Sequence, residues 1–260
     1  MQAYQPLSRS IAGRIAIVTG AASGMGRATA HLLASEGAHV AVTDLDLDAS
    51  QRVVDEIEAA GFSTTKAWAM DMADAGAIAT CVGEITSHFG GLDILVNNAG
   101  FSMIANIDDA AYLQSWEKSL AVMLEGPQIL IRQALSHLRN SDAARIVNIA
   151  STEGLGGSAG SSPYTAAKHG LIGLTKSLAV ELGKEGITVN AVCPGPIHTG
   201  ITELIPDDHK ATFAHRRTAL RRYGRPEEVA HVTLSLCLPA SSYVTGVAIP
   251  VDGGMRARNN

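Results

Sequence analysis

Long apolar runs are missing from this 260-residue chain: residues 1–11 hold no stretch suited to a signal peptide, and no segment of about 18 apolar residues offers a membrane span. The expectation is a soluble, cytoplasmic protein. Cysteine is scarce as well. Cys81, Cys193 and Cys237 are odd in number and widely spaced, which leaves neither a disulfide framework nor a metal-knuckle pattern and points to reduced thiols and no metal. Nor is there a basic run long enough to track a phosphate backbone; 20 basic against 25 acidic residues give a net charge of -5, and no nucleic-acid partner is expected. The densest basic stretch, His215-Arg216-Arg217 through Arg221, Arg222 and Arg225, reads as a solvated helix face, the other reading being a surface that greets an anionic substrate. Internal repeats and inter-domain linkers are absent too.

What is present is an alternation. A β-branched run, Arg14–Thr19, ends in glycines; Arg27–Glu36 then reads as a helix closed by Gly37, and Ala38–Thr43 as a second strand ending at Asp44. A helix over Asp48–Ala60, a strand near Thr64–Ala69, a helix to Phe89 and a strand at Asp93–Val96 follow. The pattern continues with one long helix around Ala110–Leu138, a strand at Arg145–Ala150, a helix over Pro163–Leu182 and a strand at Thr188–Val192. An irregular basic insertion, Gly200–Arg225, precedes a helix from Pro226 and a last strand near Val247. Seven alternating units with apolar strands such as Ile146–Ala150 predict an α/β Rossmann fold: one domain over 13–254, with a seven-stranded doubly wound parallel sheet covered on both faces. Residues 1–12 are then an N-terminal extension, 255–260 a C-terminal tail, and 200–225 a candidate substrate lid.

The segment Gly20-Ala-Ala-Ser23-Gly24-Met25-Gly26 lies between the first strand and its helix, where residues without side chains let backbone turn tightly and approach a pyrophosphate at a helix N-terminus. Three glycines alone are a weak signal, since glycine-rich turns without ligands are common; their place inside a βαβ unit strengthens it. Asp44 stands 24 positions after Gly20, close to the separation expected of a carboxylate that bonds an adenosine ribose. It would repel a 2′-phosphate, and with no arginine or lysine beside it NAD is favoured over NADP. The plainer reading of Asp44 is a turn or helix-capping aspartate.

Tyr164 and Lys168, four apart at the start of a helix, share one face. A free phenol has a pKa near ~10 and exchanges protons poorly at neutral pH unless adjacent positive charge stabilises its phenolate. Ser151 ends a strand 13 residues earlier, where open α/β sheets bind ligands, and its hydroxyl could bond a substrate oxygen on which hydride transfer builds charge. Taken alone, Tyr-x-x-x-Lys more often marks a half-buried aromatic beside a surface lysine. A hydrolytic role for Ser151 lacks support, because no G-x-S-x-G elbow surrounds it and no histidine spacing ties to it.

The ordered set Thr19-Gly20-x-x-x-Gly24-x-Gly26, Asn97-Asn98-Ala99-Gly100, Ser151, Tyr164-x-x-x-Lys168 and Pro194-Gly195 resembles the short-chain dehydrogenase/reductase family from about Gly13 to Gly254. The resemblance implies an oxidoreductase that moves a hydride between NAD(H) and a secondary alcohol or ketone, with Tyr164 as acid/base. It also implies that Asp71 and the amide of Met72 bracket the adenine, that Asn98, Ala99 and Gly100 line the cofactor, that Gly20, Ser23, Gly24, Met25, Gly26, Asp44, Pro194 and Gly195 belong to the cofactor site, that Ile197 and Thr199 hold the carboxamide, and that Lys168 bonds the nicotinamide ribose. Members commonly form homotetramers through the two long central helices, here Ala110–Leu138 and Pro163–Leu182, where Ala166, Ala167, Gly170 and Gly173 would permit close packing between subunits or against the sheet. A cyclic or otherwise hydrophobic substrate would meet Ser151, Glu153, Tyr164 and Gly195, under Leu204, Ile205 and Phe213 of the lid. Reduction of a 3-oxoacyl thioester is the related alternative, and a weakly active or non-catalytic NAD(H)-binding role the more distant one. One departure stands out: where members usually carry an asparagine, Val122-Met123-Leu124-Glu125-Gly126 places Met123, whose thioether is only a weak acceptor.

Overall fold

The strands form because their β-branched and apolar residues supply two cores at once. In β1 (Ile15–Thr19), Ala16 and Val18 face one core while Ile17 faces the other; Val40 and Val42 alternate with Ala41 in β2 (His39–Asp44) in the same way. The computed structural model describes residues 4–62 and 64–258; residues 1–3 of the expected extension and 259–260 of the expected tail lie outside the described residues. The remaining strands are β3 (Thr65–Ala69), β4 (Ile94–Asn97), β5 (Arg145–Ile149), β6 (Thr188–Pro194) and β7 (Ala248–Val251). They form one parallel sheet in the order β3-β2-β1-β4-β5-β6-β7. Every residue of β4, β5 and β6 is buried, as a sheet covered on both faces requires.

In chain order the helices are α1 (Gly24–Ser35), α2 (Leu47–Ala59), α3 (Ala75–Phe89), α4 (Tyr112–Leu120), α5 (Gly126–Leu138), α6 (Ser162–Leu182), α7 (Gly200–Glu203), α8 (Asp207–Arg217) and α9 (Pro226–Cys237). Leu33 of α1, Val53 and Ile57 of α2 and Val229 of α9 fill one core. Ile78 and Ile85 of α3, Leu130 and Leu138 of α5 and Leu182 of α6 fill the other. Each such side chain, fully buried, contributes roughly 1.5–3 kcal/mol. The chain therefore leaves β1 toward one face and β4 toward the opposite face, and the crevice between their C-terminal ends is where doubly wound sheets bind ligands.

Two expectations fail here. The long helix over 110–138 is interrupted: α4 gives way to a π-helical segment, Ala121–Glu125, before α5 begins. Pro127 is the cause legible in the sequence, because it has no N–H to offer the carbonyl four residues back, that of Met123. The 200–225 insertion is not irregular, since it holds α7 and α8. Asp207 and Asp208 open α8 while His215, Arg216 and Arg217 close it, so the basic run sits where a helix dipole favours cations.

A buried polar chain crosses the middle of the sheet. Asn97 Nδ2 donates to Asn148 Oδ1 at 2.8 Å, Asn148 Nδ2 donates to Thr175 Oγ1 at 2.9 Å, and Thr175 Oγ1 donates to the Leu171 carbonyl at 2.8 Å. It fastens β4 and β5 to α6. Asn148→Ala strands the amide of Asn97 and is expected to cost about 2 kcal/mol in urea denaturation; a loss indistinguishable from zero would show that the chain adds nothing to stability.

Candidate active site

The turn after β1 is shaped by what it lacks. Gly20 and Gly24 have φ of +62° and +53°, a region that side-chain-bearing residues rarely adopt. A Cβ on Gly26 would stand 2.1 Å from the Gly20 carbonyl oxygen and 2.5 Å from Asn98 Nδ2, so the first turn of α1 presses directly on the loop. Asn98 Nδ2 donates to the Thr19 and Gly20 carbonyls at 2.8 and 3.1 Å, and Thr19 Oγ1 accepts from the amides of Asn98 and Ala99, both at 3.0 Å. These bonds lock the glycine loop to the end of β4. Thr199 joins from the other side, its Cγ2 lying 3.3 Å from where a Gly24 Cβ would be. Ser23 takes the N-cap position of α1 without a side-chain cap bond, and Met25 packs against the core.

Asp44, half-buried at the end of β2, accepts from the Ala22 amide at 3.1 Å and the Leu45 amide at 2.7 Å. It is thus a turn aspartate, as the plainer reading had it, and at the same time one aimed at the glycine loop; each of its oxygens keeps a free lone pair. Asp71 accepts from the Ala73 amide at 2.8 Å. Met72 is buried beneath the start of α5, where a Gly126 Cβ would meet its carbonyl oxygen at 2.3 Å. Backbone amides at the N-terminus of α1, no side chain over the loop, and a carboxylate at the neighbouring strand end together suit a dinucleotide pyrophosphate and its ribose.

Ser151 follows β5 in extended conformation; its Oγ accepts from the Glu153 amide at 3.1 Å, and the side chain lies near enough to the Tyr164 phenol to pull its pKa down. Lys168 is enclosed; its Nζ donates to the Ile149 carbonyl at 2.8 Å and stands 5.6 Å from the centroid of the Tyr164 ring. Gly154 allows this, because a Cβ there would strike the Lys168 carbonyl oxygen at 2.8 Å. The structure therefore brings together the three residues that spacing alone had suggested. Burial holds the Tyr164 phenol above its ordinary pKa, with the Ser151 side chain pulling the other way. Burial also lowers Lys168 from its ordinary value of 10.5 to about 8. Beneath them lies the Cys193 thiol, pushed up to about 11 by the same burial.

Met123, fully buried in the π-helical segment, borders Gly100 as Lys168 does: its Sδ is 3.3 Å, and Lys168 Nζ 3.7 Å, from the position of a Gly100 Cβ. Ile197 is buried, pointing its Cδ1 at Gly224, and Gly195, at the close of β6 after Pro194, packs on Asp252 with 2.8 Å to a would-be Cβ. Glu153 is committed elsewhere. Its Oε1 accepts from Ser158 Oγ at 2.7 Å and its Oε2 from Thr165 Oγ1 at 3.0 Å, so it clamps the 154–162 loop to α6. That role was missed because the hydroxyl partners lie five and twelve positions away, with no pattern to single them out. A cleft of about 350 Å³ between α1 and α9, bordered by Arg27, His31, Phe62 and His231, holds none of the predicted site residues and none of this chemistry.

Fold and site together define an α/β oxidoreductase built around a dinucleotide. A family model described as Enoyl-(Acyl carrier protein) reductase matches residues 20–256, and the chain belongs to the short-chain dehydrogenase/reductase family. It is an oxidoreductase acting on CH–OH groups with a nicotinamide dinucleotide, NAD(P). It is 38% identical over 256 residues to a cis-4-hydroxycyclohexanecarboxylate dehydrogenase of Sinomonas cyclohexanicum, spanning 96% of this chain and 100% of that one. It is 37% identical over 243 residues to the 3-oxoacyl-[acyl-carrier-protein] reductase FabG of Thermotoga maritima, spanning 94% and 98%. A crystal structure from Beutenbergia cavernae, provisionally assigned as an NAD(P) dependent gluconate 5-dehydrogenase and containing NADP at low occupancy, superposes with a TM-score of 0.90 at 36% identity, covering 96% and 100%. Among the described residues no helix is long and apolar enough to cross a membrane.

The Lys168 shift carries a sign that can be measured. With a folded pKa near 8 against 10.5, the unfolded chain binds more protons across that interval, so stability relative to Lys168→Met should rise as pH increases from 8 to 10.5 in the cofactor-free protein. An asparagine carbonyl beside Nζ would favour the ammonium, so in Met123→Asn the rise should move to higher pH. Thermal melts across this range check both; an unchanged profile in Met123→Asn would show that the thioether does not set the lysine's environment.

Proposed function

We propose that the chain oxidises a secondary alcohol, or reduces the corresponding ketone, with NAD(H), and that Tyr164 exchanges the hydroxyl proton. The observation that carries this reading is the assembly of Ser151, Tyr164 and Lys168 at the end of β5, beside the crevice that begins at Gly20. When bound, the nicotinamide supplies the hydride acceptor or donor. Ser151 Oγ and Tyr164 Oη both address the substrate oxygen, so charge developing there meets two donors held in place before reaction. Lys168 cannot wander: anchored on the Ile149 carbonyl, it keeps its charge over the Tyr164 ring and has further N–H bonds to give to a ribose.

In this reading Met123 leaves proton exchange with solvent to water or a backbone carbonyl, and Pro127 removes the amide that would otherwise occupy the Met123 carbonyl. Asp71 and the Met72 amide bracket the adenine, Asn98 to Gly100 line the dinucleotide, Pro194 and Gly195 belong to the cofactor site, and Ile197 and Thr199 hold the carboxamide. Leu204, Ile205 and Phe213, all exposed on the lid segment, form an apolar cover for a cyclic substrate. A 3-oxoacyl thioester is the second reading, favoured by the family description and by the FabG relative. Leu113 of α4 and Val180 of α6, 71% and 85% exposed, support a cytoplasmic homotetramer joined through these helices. Of the small residues, Gly170 packs on Leu124 within the chain while Gly173 faces open space.

Tyr164→Phe keeps the ring and loses the proton. NADH affinity by calorimetry should persist while turnover, followed at the nicotinamide absorbance across secondary alcohols and cyclic ketones, falls at least ~100-fold. Activity near that of the native protein would remove Tyr164 from the mechanism. NAD preference rests on Asp44: native kcat/KM should favour NAD+ over NADP+, and Asp44→Ala should narrow the ratio by about tenfold or more through relief of like-charge repulsion. A native preference for NADP+ would overturn it.

A further inference from the structure

The C-terminal turn folds back onto the site. Asp252, buried against Gly195, accepts from the Gly254 amide with Oδ1 and from the Arg256 amide with Oδ2, each at 2.9 Å. This fixes the Arg256 backbone relative to the end of β6. Its side chain then reaches the loop that follows Ser151: a Cβ on Gly156 would lie 2.7 Å from Arg256 Nη1 and 3.9 Å from its Cζ. Gly156 does not have a positive φ, and the guanidinium occupies the room that a side chain there would take.

Among the described residues this guanidinium has no hydrogen-bond or ion-pair partner, and Arg256 is exposed. The nearby carboxylates are otherwise engaged, Glu153 by Ser158 and Thr165 and Asp252 by two amides. Two neighbouring guanidiniums are engaged: Arg222 of the lid is paired with Glu228 at 2.6 Å, and Arg258 of the tail donates Nη1 to the Arg216 carbonyl at 2.9 Å. Arg256 also lies within electrostatic reach of the Cys193 thiol under Ser151.

We infer that Arg256 is a specificity residue that binds a carboxylate on the substrate, at the edge of the cleft where the tail meets the Gly156 loop. The inference rests on the dehydrogenase reading above and narrows its substrate class to hydroxy acids and keto acids. A planar fork of donors fits a carboxylate in two parallel bonds, and the tail and the Gly156 loop hold it on the same side as the Ser151 hydroxyl. An acid whose carboxylate reaches Arg256 would present its carbinol carbon to Tyr164 in one orientation.

The test pairs cis-4-hydroxycyclohexanecarboxylate with its neutral methyl ester in the full chain. The acid should have a KM about tenfold below that of the ester, the worth of one charge-assisted contact at a partly exposed site. Arg256→Gln should erase that difference with kcat retained, Arg256→Lys should restore part of it, and Gly156→Val, which displaces the guanidinium, should mimic Arg256→Gln. Equal effects on acid and ester, or none on either, would overturn the inference and leave the dehydrogenase reading standing. Should neither compound turn over, calorimetry of cyclohexanecarboxylate binding to the NADH-mixed protein decides the matter separately: about tenfold weaker binding in Arg256→Gln supports it, and unchanged or absent binding in the native chain refutes it.

Discussion

A single hydrogen bond inside the protein, from Lys168 Nζ to the Ile149 carbonyl, determines how the reactive end of the sheet is put together. A buried ammonium without partners would cost several kcal/mol, and this one has a fixed carbonyl oxygen to accept one of its protons. The bond ties α6 to the last residue of β5, and Ser151 follows two residues later in the chain. Gly154 then has to lie flat on the α6 backbone, and Tyr164, one turn before Lys168 on the same helix, is carried over Ser151. The 2.9 Å bond from Asn148 to Thr175 fastens the same strand to the same helix farther down, so the geometry does not depend on the lysine alone.

That arrangement explains why so much could be read from the chain. Glycines at 20, 24 and 26 are demanded by backbone geometry and by a 2.1 Å approach, constraints that only glycine meets and that therefore show in any sequence adopting the turn. Strands buried on both faces appear as unbroken apolar runs for an equally plain reason. What escaped were features set by absence or by distance in the chain. The break in the long helix needed one missing N–H, at Pro127, to be weighed above a strong helical period. The two lid helices were hidden by their polarity, since α8 has only Ala214 buried and so shows no apolar stripe; its charge order, acidic first and basic last, was the available signal.

Met123 illustrates how a departure from a family pattern can be partly absorbed by the fold. The thioether fills the space beside Gly100 and Lys168 that an amide would otherwise share, and it contributes an apolar wall where a hydrogen-bonding group would favour the ammonium. Burial by such walls is the main cause of the lowered lysine pKa. The segment is π-helical at this point, and π turns leave main-chain groups outside the regular ladder.

The last residues extend this logic from the proton to the substrate. The tail touches four places near the site: Gly253 accepts from the Leu220 amide, Arg258 donates to the Arg216 carbonyl in α8, Asp252 rests on Gly195, and Arg256 reaches Gly156. These bonds tie the far end of the 200–225 segment to the tail, and Asp252 ties the Arg256 backbone to the end of β6, while Leu204, just past α7, is 95% exposed. In the proposed reading an apolar cover and a cation are thus carried by different parts of the chain, and a backbone held before reaction is what orientation of a substrate requires.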